Sequence, residues 1–186
     1  MSFQNEKKGF LSKIDKSRKK SVDEDIKKLV DLINSKEDYY STSSCSGRIV
    51  LIRQAKKNKA KWLFVSHREV NFKQIKDALK HIPKGLIWLK QEDIILHITC
   101  NSIEDAKKLL GLIRKLGFKR TGIISLDRKI TIEIKGNEYM DVPIAKDGKI
   151  LVMDDYLKLL IKEANSKLKK AKNKIKVLEN KIKILS

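Results

Sequence analysis

Cysteine is nearly absent from this 186-residue chain, with only Cys45 and Cys100 present. Two thiols far apart in sequence make neither a disulfide framework nor a paired-cysteine zinc site. Histidine is equally scarce, at three residues with no spaced pair, so no metal site is expected. Eight glycines and two prolines leave few turns, and no G-x-G-x-x-G follows a strand-like run. A Rossmann-type cofactor site therefore has no support. No apolar run reaches the length of a signal peptide or a membrane span, and a soluble, cytoplasmic protein is the expectation. The last shortage is negative charge: 23 Asp and Glu face 43 Lys and Arg, a formal net of +20. That excess suits a polyanionic partner. A hot habitat would raise Glu along with Lys, and Glu does not keep pace here.

What is present is enough for one domain with a real core, or for one domain plus an appendage. Residues 1–20 read as a basic arm anchored by Phe10, Leu11 and Ile14. Ser21-Val22-Asp23-Glu24 has the spacing of a capping box, and Val22, Ile26, Leu29, Val30 and Ile33 then recur at helical spacing as far as Asn34. Ile49–Arg53 and Trp62–Ser66 read as strands joined by the basic link Gln54–Lys61. The second is apolar on both faces, which places it mid-sheet. Asn71 and Asn101-Ser102 start two further helices, and Gly117 stops the second. Ile87–Lys90 and Ile94–Thr99 flank Gln91-Glu92-Asp93, and short strands follow from Ile123 to Val152. From Asp154 onward a seam of Ile161, Ala164, Leu168, Ala171, Ile175, Leu178, Ile182 and Leu185 steps by three and four between lysines. Its first half is expected to pack on the domain; its second either projects and finds a partner helix or RNA, or the whole helix folds back on its own sheet. The pattern predicts an α+β fold: a mixed β-sheet flanked by helices, with domain 21–165 and a C-terminal helical extension 166–186.

The chemistry gathers at Tyr40-Ser41-Thr42-Ser43-Ser44-Cys45-Ser46-Gly47-Arg48. Seven small or hydroxylated residues and an arginine lie at the mouth of the apolar run Ile49–Ile52. As a loop, such a run lets several N–H groups and hydroxyls converge on an anion, with Gly47 free to turn. Arg48 adds a bidentate fork for carboxylate or phosphate. A plain surface loop beginning a strand has the same composition.

Ser43-Ser44-Cys45-Ser46-Gly47-Arg48 resembles the S-S-C-x-G-R signature of the tRNA wybutosine-synthesizing protein 3 family. Asp15-Lys16-Ser17-Arg18-Lys19-Lys20-Ser21-Val22-Asp23-Glu24 is similar to that family's D-x-S-x-K-G-S-x-D-E segment, with Lys20 in place of Gly. Ser66-His67, Glu92 through Leu96-His97, Gly117-Phe118 with Thr121-Gly122, and Val142-Pro143 follow in the family's order, with Asp93 where a Pro is common. The resemblance implies an S-adenosylmethionine-dependent methyltransferase acting on a tricyclic guanosine beside the anticodon of phenylalanine tRNA. It implies a cofactor site at Ser43, Ser44, Cys45, Ser46, Gly47 and Arg48. Arg48 then holds the cofactor carboxylate, the substrate's aminocarboxypropyl carboxylate or an RNA phosphate. His67 and Glu92 are the candidate bases, and His97 is a weaker one. Cys45 reads as a packing residue, because methyl transfer to nitrogen needs no thiol.

Two other readings use the same residues. One is a non-catalytic basic RNA-binding module, holding phosphates through lysine. The other makes the heptad helix a coiled-coil element for self-association.

Overall fold

A computed structural model describes residues 2–13, 21–53 and 60–184. The segment Asp15–Lys20, most of the basic link and Leu185 lie outside the described residues. In chain order the elements are α1 (Phe3–Leu11), α2 (Glu24–Asn34), β1 (Tyr39–Cys45), β2 (Arg48–Arg53), β3 (Lys61–Ser66), α3 (Phe72–Ala78), β4 (Leu86–Glu92), β5 (Ile95–Cys100), α4 (Ile103–Lys115), β6 (Gly122–Ser125), β7 (Ile130–Lys135), β8 (Met140–Lys146), β9 (Lys149–Ile150) and α5 (Asp154–Ile182). The fold is α+β. Instead of one mixed sheet there are two, ordered β1-β5-β7-β6 and β3-β2-β4-β8-β9, with every strand pairing antiparallel. The helical connections β3–α3–β4 and β5–α4–β6 each return to their own sheet across one intervening strand. Each sheet belongs to its own compact unit: Met1–Ser46, Ile94–Asn137 and Lys172–Ser186 form the first, Gly47–Asp93 and Glu138–Ala171 the second.

In the first unit, Leu96 and Ile98 of β5 and Ile132 and Ile134 of β7 turn one sheet face into the core. Alternation puts His97, Thr99, Thr131 and Glu133 on the other face. α2 buries Ile26, Leu29, Val30 and Ile33, while α4 buries Ala106, Leu109 and Ile113. Ser102 and Asp105 close a reciprocal capping box at the start of α4. At its end Gly117 takes φ 91°. α1 lays Phe3 and Phe10 against the fully buried Tyr40, with ring centroids 5.4 and 5.5 Å away.

The heptad seam finds its partner inside the chain. Lys172 Nζ bonds the Asp25 carboxylate at 2.6 Å, and Lys36 Nζ reaches the Lys183 carbonyl at 3.3 Å. Both pairs are 147 residues apart, so the end of α5 runs parallel to α2. Ile175, Leu178 and Ile182 are buried to within 2% exposure. The second half of α5 therefore does not project: α2 supplies the apolar face that the seam requires. Each such side chain stabilises by about 1.5–3 kcal/mol, so deleting residues 172–186 removes about 5–9 kcal/mol. That rivals the whole stability of a typical domain. The deleted chain is expected to lose its cooperative thermal transition by circular dichroism, and a wild-type melt would contradict this packing.

In the second unit, Ile49 and Leu51 of β2 and Ile87 and Leu89 of β4 meet Ile75 and Leu79 near α3, and Leu157, Leu160, Ile161, Ala164 and Leu168 of α5. Asn71 caps α3 through a box closed by Gln74. β3 stands at the sheet edge rather than in its centre, with Val65 41% exposed. An apolar run alone does not separate an edge strand from a central one.

Candidate functional site

The serine-rich stretch is a strand, not a loop. Tyr39–Cys45 pairs along its length with β5, shifted by a bulge between Ser41 and Ser43. Alternation then sends successive side chains to opposite faces, so its hydroxyls do not converge as a single cradle. Ser41 is committed to the end of α2, where its N–H and hydroxyl donate to Asn34 Oδ1 at 2.8 and 3.1 Å. Ser43 is exposed, and Ser44 and Cys45 are half-buried. Only Ser46 and Gly47 separate β1 from β2.

Ser46 is fully buried, and its N–H and hydroxyl donate to Asp23 Oδ2 at 3.1 and 3.3 Å. This corrects the expected Ser21 capping box. Asp23 is the N-cap residue of α2, yet its side chain makes no cap bond. Its carboxylate is spent on the motif.

Gly47 has φ +87°, a conformation that L side chains resist. A Cβ there would lie 3.0 Å from the Glu92 carbonyl oxygen and 3.4 Å from Leu168 Cδ1. The carbonyl of Gly47 sits 3.0 Å from His67 Nδ1. A carbonyl only accepts, so Nδ1 carries the proton in a neutral ring and the lone pair lies on Nε2. Just before it, Ser66 Oγ donates to the Arg68 carbonyl and accepts from the Arg68 N–H, at 2.8 and 3.0 Å, which shapes the exit from β3.

Arg48 and Glu92 were separate candidates in the sequence, and the β2–β4 register sets them directly opposite one another. Arg48 Nε donates to Glu92 Oε2 at 2.6 Å. The guanidinium lies 4.5 Å over the Trp62 ring. Arg48 is thus held on one edge by a carboxylate and on one face by an indole. Its two terminal amino groups make no hydrogen bond among the described residues, and its side chain is 31% exposed. Trp62 entered the sequence reading only as strand filling. Its contact with Arg48 depends on strand register, which no local pattern reveals.

Gln91 is fully buried beside this pair, with Nε2 donating to the Glu92 carbonyl at 3.0 Å. Asp93, standing where the family motif commonly has Pro, accepts from the Glu138 N–H through Oδ2. Here a carboxylate fixes the strand exit that a proline ring would otherwise restrict.

In the first unit, His97 stands in register between Ser43 and Glu133. Its Nε2 meets Glu133 Oε2 at 3.0 Å, on side chains 26% and 27% exposed. Glu133 was another silent residue in the sequence. Neither cysteine is in a disulfide among the described residues. Burial, with Asp105 adding to it, pushes the Cys100 thiol up to about 12. It is a packing group at neutral pH.

Comparison with known proteins supplies the decisive observation. The family described as Methyltransferase TYW3 matches residues 5–184. The chain belongs to this family. Among curated relatives, a Pyrococcus furiosus tRNA(Phe) 7-((3-amino-3-carboxypropyl)-4-demethylwyosine(37)-N(4))-methyltransferase 2 is 41% identical over 165 residues, covering 87% of this chain and 80% of its own. A tRNA wybutosine-synthesizing protein 3 homolog from Xenopus laevis is 36% identical over 174 residues, covering 90% and 69%. The solved structure of the PH1069 protein from Pyrococcus horikoshii superposes with a TM-score of 0.92 at 39% identity, covering all of this chain and 96% of that one. Membership of the Methyltransferase TYW3 family implies a methyl donor of the S-adenosylmethionine type. Among the described residues, no helix is long and apolar enough to cross a membrane.

Proposed function

We propose that this protein transfers a methyl group from S-adenosylmethionine to N4 of the 4-demethylwyosine-type tricyclic guanosine in phenylalanine tRNA. Support comes from the family membership and from relatives named for that activity. The single observation that carries the local chemistry is the clamped Arg48, with its outer amino groups unengaged.

The donor set fits the amino-acid end of the cofactor. A guanidinium fork with two unengaged amino groups suits its carboxylate. Ser43, Ser44 and Cys45 are paired in β1 and Ser46 is committed to Asp23, so the contact to the carboxylate falls to Arg48. When bound, S-adenosylmethionine supplies an electrophilic methyl group on a sulfonium. Arg48 orients; Glu92 and Trp62 hold Arg48 in its plane. A nitrogen that gains a methyl group must give up its proton, and His67 is suited to take it. Its Nδ1–H is directed at the Gly47 carbonyl, which leaves Nε2 as the basic atom. Glu92, the other candidate base, has Oε2 engaged by Arg48 and acts as the positioning carboxylate.

The non-catalytic alternative requires a protein indifferent to the cofactor, and its coiled-coil version requires an open seam. The first half of the seam is buried in the second unit's core, and the second half lies buried along α2. Isothermal calorimetry separates the readings: one equivalent of S-adenosylmethionine is expected to bind in the absence of RNA. No heat at millimolar ligand, alongside intact tRNA binding, would favour the RNA-binding module.

A further inference from the structure

We propose that the lysine-lined cleft between α3 and α5 in the second unit is a docking surface for an RNA phosphate backbone. The inference rests on the tRNA reading above, and it names the face that meets the nucleic acid. The open cleft has a volume of about 510 Å³ and takes its charge from Lys158, Lys162 and Lys169, with Glu69 in its lining and Asp155 paired to Lys158. These lysines recur on α5 at steps of four and seven, which puts them on one helical face. From first to last the stripe spans roughly 16 Å at 1.5 Å per residue, room for several phosphates.

The walls are fixed in advance. Asn165, on the same stripe, uses both ends of its amide on one main-chain residue. Its Oδ1 accepts from the Val70 N–H at 2.9 Å, and its Nδ2 donates to the Val70 carbonyl at 2.8 Å. Phe72 lies within reach of two ammonium groups, Lys76 at 5.7 Å and Lys158 at 5.5 Å from its ring centroid. Those two are tethered at 2.8 and 2.9 Å by Asp154 and Asp155. Lys162 and Lys169 differ. They are exposed and have no hydrogen bond or ion pair among the described residues. Two unpaired cations beside a held aromatic ring form a surface complementary to a polyanion, and the chain's net charge of +20 points the same way.

Fluorescence anisotropy with phenylalanine tRNA over a salt series tests the proposal. The proteins are wild type, a Lys158→Ala/Lys162→Ala/Lys169→Ala variant, and a control with Lys28→Ala/Lys107→Ala/Lys115→Ala. The control removes the same charge from exposed positions on α2 and α4. The cleft variant is expected to bind about tenfold or more weaker at moderate salt. Its log–log salt slope should fall by about two to three units, one per lost phosphate contact. The control should shift far less, and all three proteins should keep the same melt and S-adenosylmethionine affinity. Equal losses in variant and control, or a wild-type slope in the cleft variant, would overturn the proposal. So would a poly-glutamate probe whose binding is lost in the cleft variant while tRNA binding persists. Failure of wild type to bind tRNA at all would instead sink the functional reading beneath it.

Discussion

Replacing Arg48 with alanine is expected to weaken S-adenosylmethionine binding about ten- to a hundredfold. A charge-assisted contact of this kind is worth roughly 1.5–3 kcal/mol, which converts to that range of affinity. Arg48→Lys should also be impaired, because one ammonium replaces a planar fork that bonds Glu92, lies over Trp62 and still offers two amino groups outward. Stability should hardly change. The Arg48–Glu92 pair is 31% and 37% exposed, so it adds at most about 1 kcal/mol, and water can solvate Glu92 once the arginine is gone. Calorimetry with the cofactor, and separately with tRNA, shows which anion Arg48 holds. Normal binding of both ligands, or collapse of the fold, would make Arg48 structural and remove it from the site.

Gly47→Ala should produce the largest loss of any single-methyl addition in the motif. A φ of +87° already disfavours an L residue, and the new Cβ would meet the Glu92 carbonyl at 3.0 Å, tighter than ordinary packing allows. That neighbour is backbone at the end of a paired strand, so it does not swing aside. Together the two effects should cost about 2–4 kcal/mol. The damage should extend to activity, because the Gly47 carbonyl orients His67 and the next residue is Arg48. Urea melts and methyl-transfer rates on the same variant check both parts. A wild-type midpoint would show that the turn has slack that the geometry denies.

The helices and their ends were largely legible from local chemistry. Asn71 and Ser102 sit at capping positions with partners three residues on, and Gly117 follows the last periodic residue of its helix. Strand identity was less legible. Tyr39–Cys45 lacks apolar alternation, so it read as a loop, although its Tyr and Thr residues suit a strand. Burial of β3 was overread because Trp62-Leu63-Phe64-Val65 looks alike at an edge or in a centre. Asp23 was one residue of a capping pattern until Ser46, far along the chain, claimed its carboxylate. The candidate residues followed the same division. Arg48, Glu92 and His67 stood out as polar residues at the ends of apolar runs. Trp62 and Glu133 did not, because their roles arise from cross-strand register. The heptad seam showed that α5 needed an apolar partner, but only the tertiary fold identifies α2 as that partner.

The central claim is methyl transfer to one modified base, and a single measurement addresses it. Purified protein is incubated with methyl-labelled S-adenosylmethionine and phenylalanine tRNA, either carrying the 4-demethylwyosine-type guanosine or lacking it, and label in the RNA is followed over time. The account predicts stoichiometric labelling of the modified tRNA, located on the tricyclic base by nuclease digestion and mass spectrometry, with none in the unmodified tRNA. Equal labelling of both tRNAs, or of neither under conditions where cofactor and tRNA bind, would contradict it.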